Sequence, residues 1–484
     1  MGDWLITVVD GGACTEVSIL HILDHAEQFH GRLTLDPIEP DYDGGRAVGK
    51  LFLMGARPCL YSMAHGGTTY KLFRQPQNIE TVKGKLHETT NRLLDVLRRA
   101  NDVFDYGSEI VSVAEGGHLL SLDAFSLTYL VSGLTQFFHT KELQSGEILT
   151  VLDDPPGPPI RAIVSLGAAR KLKPLDAVIT APTLRLDGSI LDVPGYDKAT
   201  RLLFDGDGDH PVIPLQPTKD QALAALATVW EPFKDFPFAE PLDQAVHLAA
   251  ILTAAIRPVL PTAPAFSYDA PVQGSGKTLL ASCISVIATG TEPSAMPPIS
   301  SNDDEEIRKR LFTELRGGNR VILWDNVVGN LDSPAMATML TSPNYSDRIL
   351  GASESATVPN RAILLLTGNN FAAVGDLSRR ILVCRIDPET DRPFARQFNL
   401  NPLAHCQAYR LEIVAAALTL IRYHFQYGEQ LGAGAIASFE DWDRLVRQTV
   451  LRADQLWPGQ FADVMNRVII NQETDPEQES LDQF

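Results

Sequence analysis

The chain has 484 residues, 44% of them hydrophobic and 21% charged, with a formal net charge of −19 at pH 7. That is length for roughly two to four domains, and the acidic balance speaks against a protein that coats nucleic acid, because phosphate binding is electrostatic at base. No uncharged apolar run reaches the roughly 18–20 residues of a membrane span, and the start MGDWLI carries neither a leader pattern nor a myristoylation site, so a cytoplasmic chain without a membrane partner is expected.

Charge and cysteine are unevenly informative. Acid gathers in the first fifty residues, in FDGDGDH (204–210) and in the tail NQETDPEQESLDQF, whereas base gathers between Lys71 and Arg99 and between Arg308 and Arg396. A chain acidic outside and basic where a strand passes fits that distribution. Cys14, Cys59, Cys283, Cys384 and Cys406 form no CxxC pair, which excludes a zinc ribbon and leaves them as small buried apolar residues.

Residues 1–75 are Gly- and Asp-rich, with short apolar runs such as GKLFLMGARPCLYSM that predict strands between turns. Residues 76–215 pass from a helical pattern, TVKGKLHETTNRLLDVLRRA, to alternating stretches such as EIVSVAEGGHLLSL and AVITAPTLRLDGSIL, the mark of a small α+β module. LFDGDGDHPVIPLQPTKD reads as a linker whose acids serve turns rather than a metal. QALAALATVWEPF and LDQAVHLAAILTAAI are helices leading into residues 216–400, and residues 401–484 form a helical C-terminal region with an acidic, disordered tail. His65, in AHGGTTY, is a turn histidine.

The stretch DAPVQGSGKTLLA (269–281) carries the chemistry. PAFSYD (264–269) predicts a buried strand and KTLLASCISVIAT a helix, which is the strand–loop–helix context of a phosphate-binding loop. Pro271, Val272, Gln273, Gly274, Ser275, Gly276, Lys277, Thr278 and Leu279 form the candidate ATP cradle. Gly274 and Gly276 let backbone N–H groups close on the phosphates at the positive end of the helix dipole, Lys277 supplies the cation, and the Thr278 hydroxyl is a Mg2+ ligand. Pro271 stands at the first glycine of the pattern; it removes one donor and leaves the cradle.

NRVILWDNV (319–327) is an apolar strand ending in Asp325, the second candidate Mg2+ ligand. Asn326 follows, an amide where a second acid could polarise the attacking water. AILLLTGNN (362–370) ends in a polar tip from which Asn369, with Asn370 close behind, can hold that water or sense the γ-phosphate. In DLSRRILVCRID, Arg379 and Arg380 open a further strand; either is placed for a finger reaching a neighbouring subunit's phosphate, with Arg380 preferred because it adjoins the apolar run.

In order and at suitable spacing, FSYDAPVQGSGKTLLA, DDEEIRKRLFTEL, VILWDNV, SDRILG, LLLTGNN and GDLSRRILVCRIDP resemble the AAA+-like helicase module of phage, prophage and mobile-element primase–helicase proteins, relatives of the superfamily 3 helicases. YSMAHGGTTYKL (61–72) and TLRLDGSILDVPGYD (183–197) look like the region preceding that module. The resemblance implies an α/β fold: a P-loop NTPase (AAA+-like) core with a parallel sheet, smaller α+β modules before it and a helical region after it. It implies an ATP- and Mg2+-dependent helicase or translocase, a homo-oligomeric and hexameric ring, acting on single-stranded or forked DNA in the replication of a mobile genome. Carried over residue by residue, Lys277 and Thr278 bind ATP–Mg2+, Asp325 is the strand-end acid, Asn369 the sensor, and Arg379 or Arg380 the finger; Glu305 or Glu306 is the source of a carboxylate that Asn326 cannot supply. No primase motif accompanies it, so the chain reads as either a helicase-only protein or one whose primase is a separate polypeptide.

SDRILGASESATVPNRA (346–362) alternates like a hairpin, and in ring helicases an insertion there projects into the channel. Its tip has no Lys or Arg, which leaves Ser353, Ser355 and backbone donors to grip a strand. That feature keeps a second class open beside the motor: an ATP-switched loading or assembly protein.

Overall fold

The computed structural model describes residues 4–206, 210–296, 303–349, 355–388 and 400–474. It divides into two compact units, Met1–Val178 with Val193–Asp207, and Ile179–Asp192 with Gly208–Phe484. Composition places a boundary at 215/216; the contacts place it at 207/208 and give Ile179–Asp192 to the second unit.

The first unit has two cores. One lies under an antiparallel six-stranded sheet formed by residues 5–71, with Ile6, Ile22, Leu51 and Leu60 at its centre. The other gathers Ile79, Leu93, Leu97, Leu127, Phe137 and Ile163. Its strand Gln77–Glu80 runs parallel to Thr135–Glu142, which pairs antiparallel with Ile148–Asp153. The helix Leu86–Arg99 buries Thr90, Leu93, Leu94 and Leu97, an i, i+3, i+4, i+7 stripe. Leu203 and Phe204, read as the start of a linker, belong instead to a buried strand, Leu202–Phe204, paired with Gly195–Asp197. Asp207 and Asp209 of the acidic cluster lie outside the described residues. His65 sits in a turn at φ 51°, its Nε2 2.9 Å from Glu39 Oε2.

The second unit is mixed α/β. Helices α1 (Lys219–Trp230) and α2 (Pro241–Ile256) precede strand β1 (Ala265–Asp269), which leads to α3 (Lys277–Thr289). Then follow β2 (Ala295–Met296), α4 (Asp304–Arg316), β3 (Val321–Leu331), α5 (Pro334–Thr341), the strands β4 (Asn344–Arg348) and β5 (Ser355–Pro359), β6 (Ile363–Ala373) and β7 (Ile381–Arg385). The central sheet has the order β2-β3-β6-β1-β7 with every pairing parallel. Continuous buried runs, AFSYD in β1 and ILLL in β6, are what a parallel sheet covered on both faces selects.

β1 is flanked by β6 and β7, while the chain leaves it for the far edge at β2 and returns. Its carboxyl end is therefore a topological switch point, where open α/β sheets present a crevice. The C-terminal helices α6 (Pro402–Ala408) and α7 (Arg410–Phe425) pack in this same unit rather than apart from it. Trp442 Nε1 donates to Thr253 Oγ1 of α2 and Arg467 Nη2 to Asp243 Oδ1 of the same helix, each at 2.7 Å, which fastens the region to the core. The tail from residue 475 lies outside the described residues.

Candidate functional site

The loop between β1 and α3 sits at the switch point. Gly274 (φ 75°) and Gly276 (φ 95°) adopt the left-handed conformation that the turn requires, and a Cβ at Gly276 would lie 2.6 Å from the Phe236 ring. Gly276 caps α3 without a side-chain bond, so the first N–H groups of a thirteen-residue helix face the loop unsatisfied. Ser275 is buried and its Oγ has no hydrogen-bond partner among the described residues.

Two pairs join this loop to the neighbouring strands. Lys277 Nζ donates to Asn369 Oδ1 at 2.5 Å and reaches the Val272 carbonyl at 3.4 Å. Thr278 Oγ1 donates to Asp325 Oδ1 at 3.1 Å. Partial burial draws the Lys277 pKa down, against the pull of the Asp269 and Asp325 carboxylates. Burial pushes the Asp269 carboxyl up, although the Phe371 N–H donates to it at 3.3 Å.

Asp325 reaches Thr278 because β3 is irregular there. Trp324 pairs with Leu366 and Val327 with Gly368, so Asp325 and Asn326 together oppose Thr367 in a bulge. Asn326 takes φ 60°, a conformation asparagine tolerates better than most residues. The extra residue re-aims the strand, and Thr367 holds the result: its Oγ1 donates to Asp325 Oδ1 at 2.6 Å and accepts the Asn326 N–H at 2.9 Å. Thr367 was in view in LLLTGNN, but a bulge has no signature in a single strand, so its bracing role was not legible. Asn370, at φ 51°, is exposed, and Asn369 is the amide in contact with the lysine.

Other expected residues fall further out. Glu305 pairs with Lys309 and Glu306 with Arg310, each at 2.8 Å along α4, and among the described residues neither bonds to the Lys277 cluster. Arg379 and Arg380 do not open β7 but stand in the turn before it. Arg380 is only 14% exposed and donates to the Ala337 carbonyl at 2.6 Å; Arg379 is 48% exposed and pairs with Asp376. β4 and β5 form the expected antiparallel hairpin. Ser355 begins β5, Ser353 lies outside the described residues, and exposed Arg348 stands opposite Ser355, a cation beside the tip that was overlooked in SDRILG.

The pairing of a hydroxyl with a carboxylate gives hard oxygen donors, and Mg2+ takes one or two carboxylates plus substrate phosphates rather than an all-protein cage. Thr278 and Asp325 fit that ion, and among the described residues no group of three or more His, Cys, Asp or Glu side chains offers an alternative metal site.

No protein-family model matches the chain, and no curated protein matches it. Among solved structures, JCV helicase with a bound thiazolopyridine acetamide is 14% identical over 53% of this chain and 67% of that one, with a TM-score of 0.24. Another JCV helicase structure is 12% identical, covering 53% and 66%, with a TM-score of 0.22. The SCCmec type IV Cch active helicase is 10% identical, covering 85% and 69%, with a TM-score of 0.29. At such scores the likeness bears on neither mechanism nor substrate, which rest on the chain's own residues. Among the described residues no helix is long and apolar enough to cross a membrane.

Proposed function

We propose that the second unit is a P-loop ATPase of AAA+-like type whose hydrolysis drives movement on single-stranded or forked DNA during replication of a mobile genome. The observation that carries the reading is the convergence of two pairs, Lys277 with Asn369 of β6 and Thr278 with Asp325 of β3, where the loop after β1 meets these strands beside a helix N-terminus without a side-chain cap. In this reading residues 271–279 cradle the triphosphate, with Lys277 neutralising developing charge and Thr278 and Asp325 holding Mg2+. The ion, when bound, neutralises charge on the phosphate oxygens. Asn369 orients the attacking water or signals the γ-phosphate. Its amide is no base, so proton removal falls to solvent or to a group of another subunit.

In this reading the site is shared between subunits of a homo-oligomeric, hexameric ring, and an arginine reaches across. Arg379, the more exposed, is the better finger, whereas Arg380 is spent on Ala337. Arg348 gives the hairpin a cation for the DNA backbone, which favours the motor over a loading protein. A primase, in this reading, acts as a separate partner.

The test is ATP hydrolysis by the full chain with and without single-stranded DNA. Turnover stimulated by DNA and accompanied by strand displacement supports the motor. Turnover with DNA binding but no displacement moves the reading to a loader, and absence of nucleotide binding refutes the site.

A further inference from the structure

The first unit contains a surface cavity of about 700 Å3, a size suited to a small ligand, built from residues 80–159 and separate from the nucleotide site. Its polar side is organised. His139 Nδ1 lies 2.7 Å from Asp153 Oδ2, and Thr81 Oγ1 donates to the same oxygen at 3.0 Å. Asp153 therefore fixes the ring orientation and commits Nδ1, leaving Nε2 as the ring's remaining hydrogen-bonding atom. The other carboxylate at the cavity, Glu80, accepts from Thr140 at 3.0 Å. Both acids are thus engaged by neighbours, and Lys83, which forms no ion pair among the described residues, is the cation of the lining.

The lining also has an apolar part. Pro156, Pro158 and Pro159 supply rigid ring faces, and Val82 and Leu86 are 42% and 49% exposed, large side chains left in water. A cation, an oriented imidazole and apolar surface in one cavity match a ligand with an anionic head and a planar body.

We propose that this cavity binds a nucleoside 5′-monophosphate group, with the phosphate on Lys83 and His139 and the base against the prolines. The group comes either from a free nucleotide or from the 5′ end of a strand, which share this chemistry.

The experiment uses the full chain carrying Lys277→Ala, so that a failure here is separate from a failure of the ATP site. Three probes are titrated calorimetrically: dAMP, a 5′-phosphorylated tetradeoxynucleotide and its 5′-hydroxyl counterpart. The phosphorylated strand is expected to bind at a 1:1 ratio about tenfold or more tighter than the hydroxyl strand, as a charge-assisted contact implies. Lys83→Ala and His139→Gln, with unchanged melting temperatures, should each erase that preference, and the His139 ring resonances should shift on titration. Binding of dAMP as tight as that of the phosphorylated strand assigns the site to free nucleotide; much weaker binding assigns it to a strand end. Equal affinity for the two strands, or a preference untouched by Lys83→Ala, overturns the proposal.

Discussion

Lys277 Nζ lies 2.5 Å from Asn369 Oδ1, so the loop's cation rests on a neutral amide of the adjacent strand and not on a carboxylate. A neutral partner holds the ammonium in place yet yields it readily to phosphate. Lys277→Ala is therefore expected to lower ATP hydrolysis by roughly 10²-fold or more while the melting temperature stays near that of the parent. Asn369→Ala should bind nucleotide and lose turnover. Parental rates in Lys277→Ala would rule out the assignment.

Thr367 bonds both Asp325 and the Asn326 N–H, at 2.6 and 2.9 Å. Thr367→Val removes both bonds and leaves Asp325 with Thr278 alone, at a cost of about 1–3 kcal/mol. Denaturation midpoints and the Mg2+ concentration for half-maximal turnover should both shift, and Thr367→Ser should restore both. If valine changes neither, the brace has no role.

Asn326 occupies φ 60° in the bulge. Asn326→Gly should fold and hydrolyse ATP like the parent, whereas Asn326→Glu should be destabilised by about 1 kcal/mol through left-handed strain. Loss of hydrolysis in the glycine variant, with binding intact, would show instead that the amide orders the attacking water.

Arg379→Ala should bind ATP normally and lose about 10³ to 10⁵ in rate. Mixed with Lys277→Ala protein, it should recover a fraction of activity, because some interfaces then pair an intact loop with an intact arginine. Arg380→Ala should mainly lower stability, since it removes the bond to the Ala337 carbonyl. Full activity of the Arg379 variant returns the finger to Arg380.

Burial brings the His247 pKa down to about 3, and its Nδ1 lies 2.9 Å from the Tyr268 hydroxyl. A folded-state value below the ordinary 6.5 contributes stability that is present above pH 6.5 and is lost as pH falls towards 3. Asp243, raised to about 6 chiefly by burial, acts oppositely: its contribution is present below 3.8 and lost as pH rises through 6. Comparing His247→Leu with the parent isolates the histidine. From pH 7 to pH 5 the variant should gain about 2 kcal/mol relative to the parent; a constant difference would mean that His247 is not held neutral.

GSGKT between an apolar strand and an apolar helix determined by itself where the loop, β1 and α3 lie, because buried parallel strands and their helices leave period and length signatures in local sequence. VILWD and ILLLTGNN likewise placed the two neighbouring strands and their polar residues, although β3 and β6 do not end there but run on to Leu331 and Ala373. The partners of those polar residues were decided only in three dimensions. Strand order sets Asn369 against Lys277, 92 positions apart, and a bulge that no local pattern announces turns Asp325 onto Thr278 and Thr367. The two arginines are adjacent and equivalent in sequence, yet α5 offers its Ala337 carbonyl to one and leaves the other exposed. Hydrophobic period specifies which residues share an element, whereas register, bulges and the burial of a single guanidinium depend on which elements pack against each other, and that is a property of the whole chain.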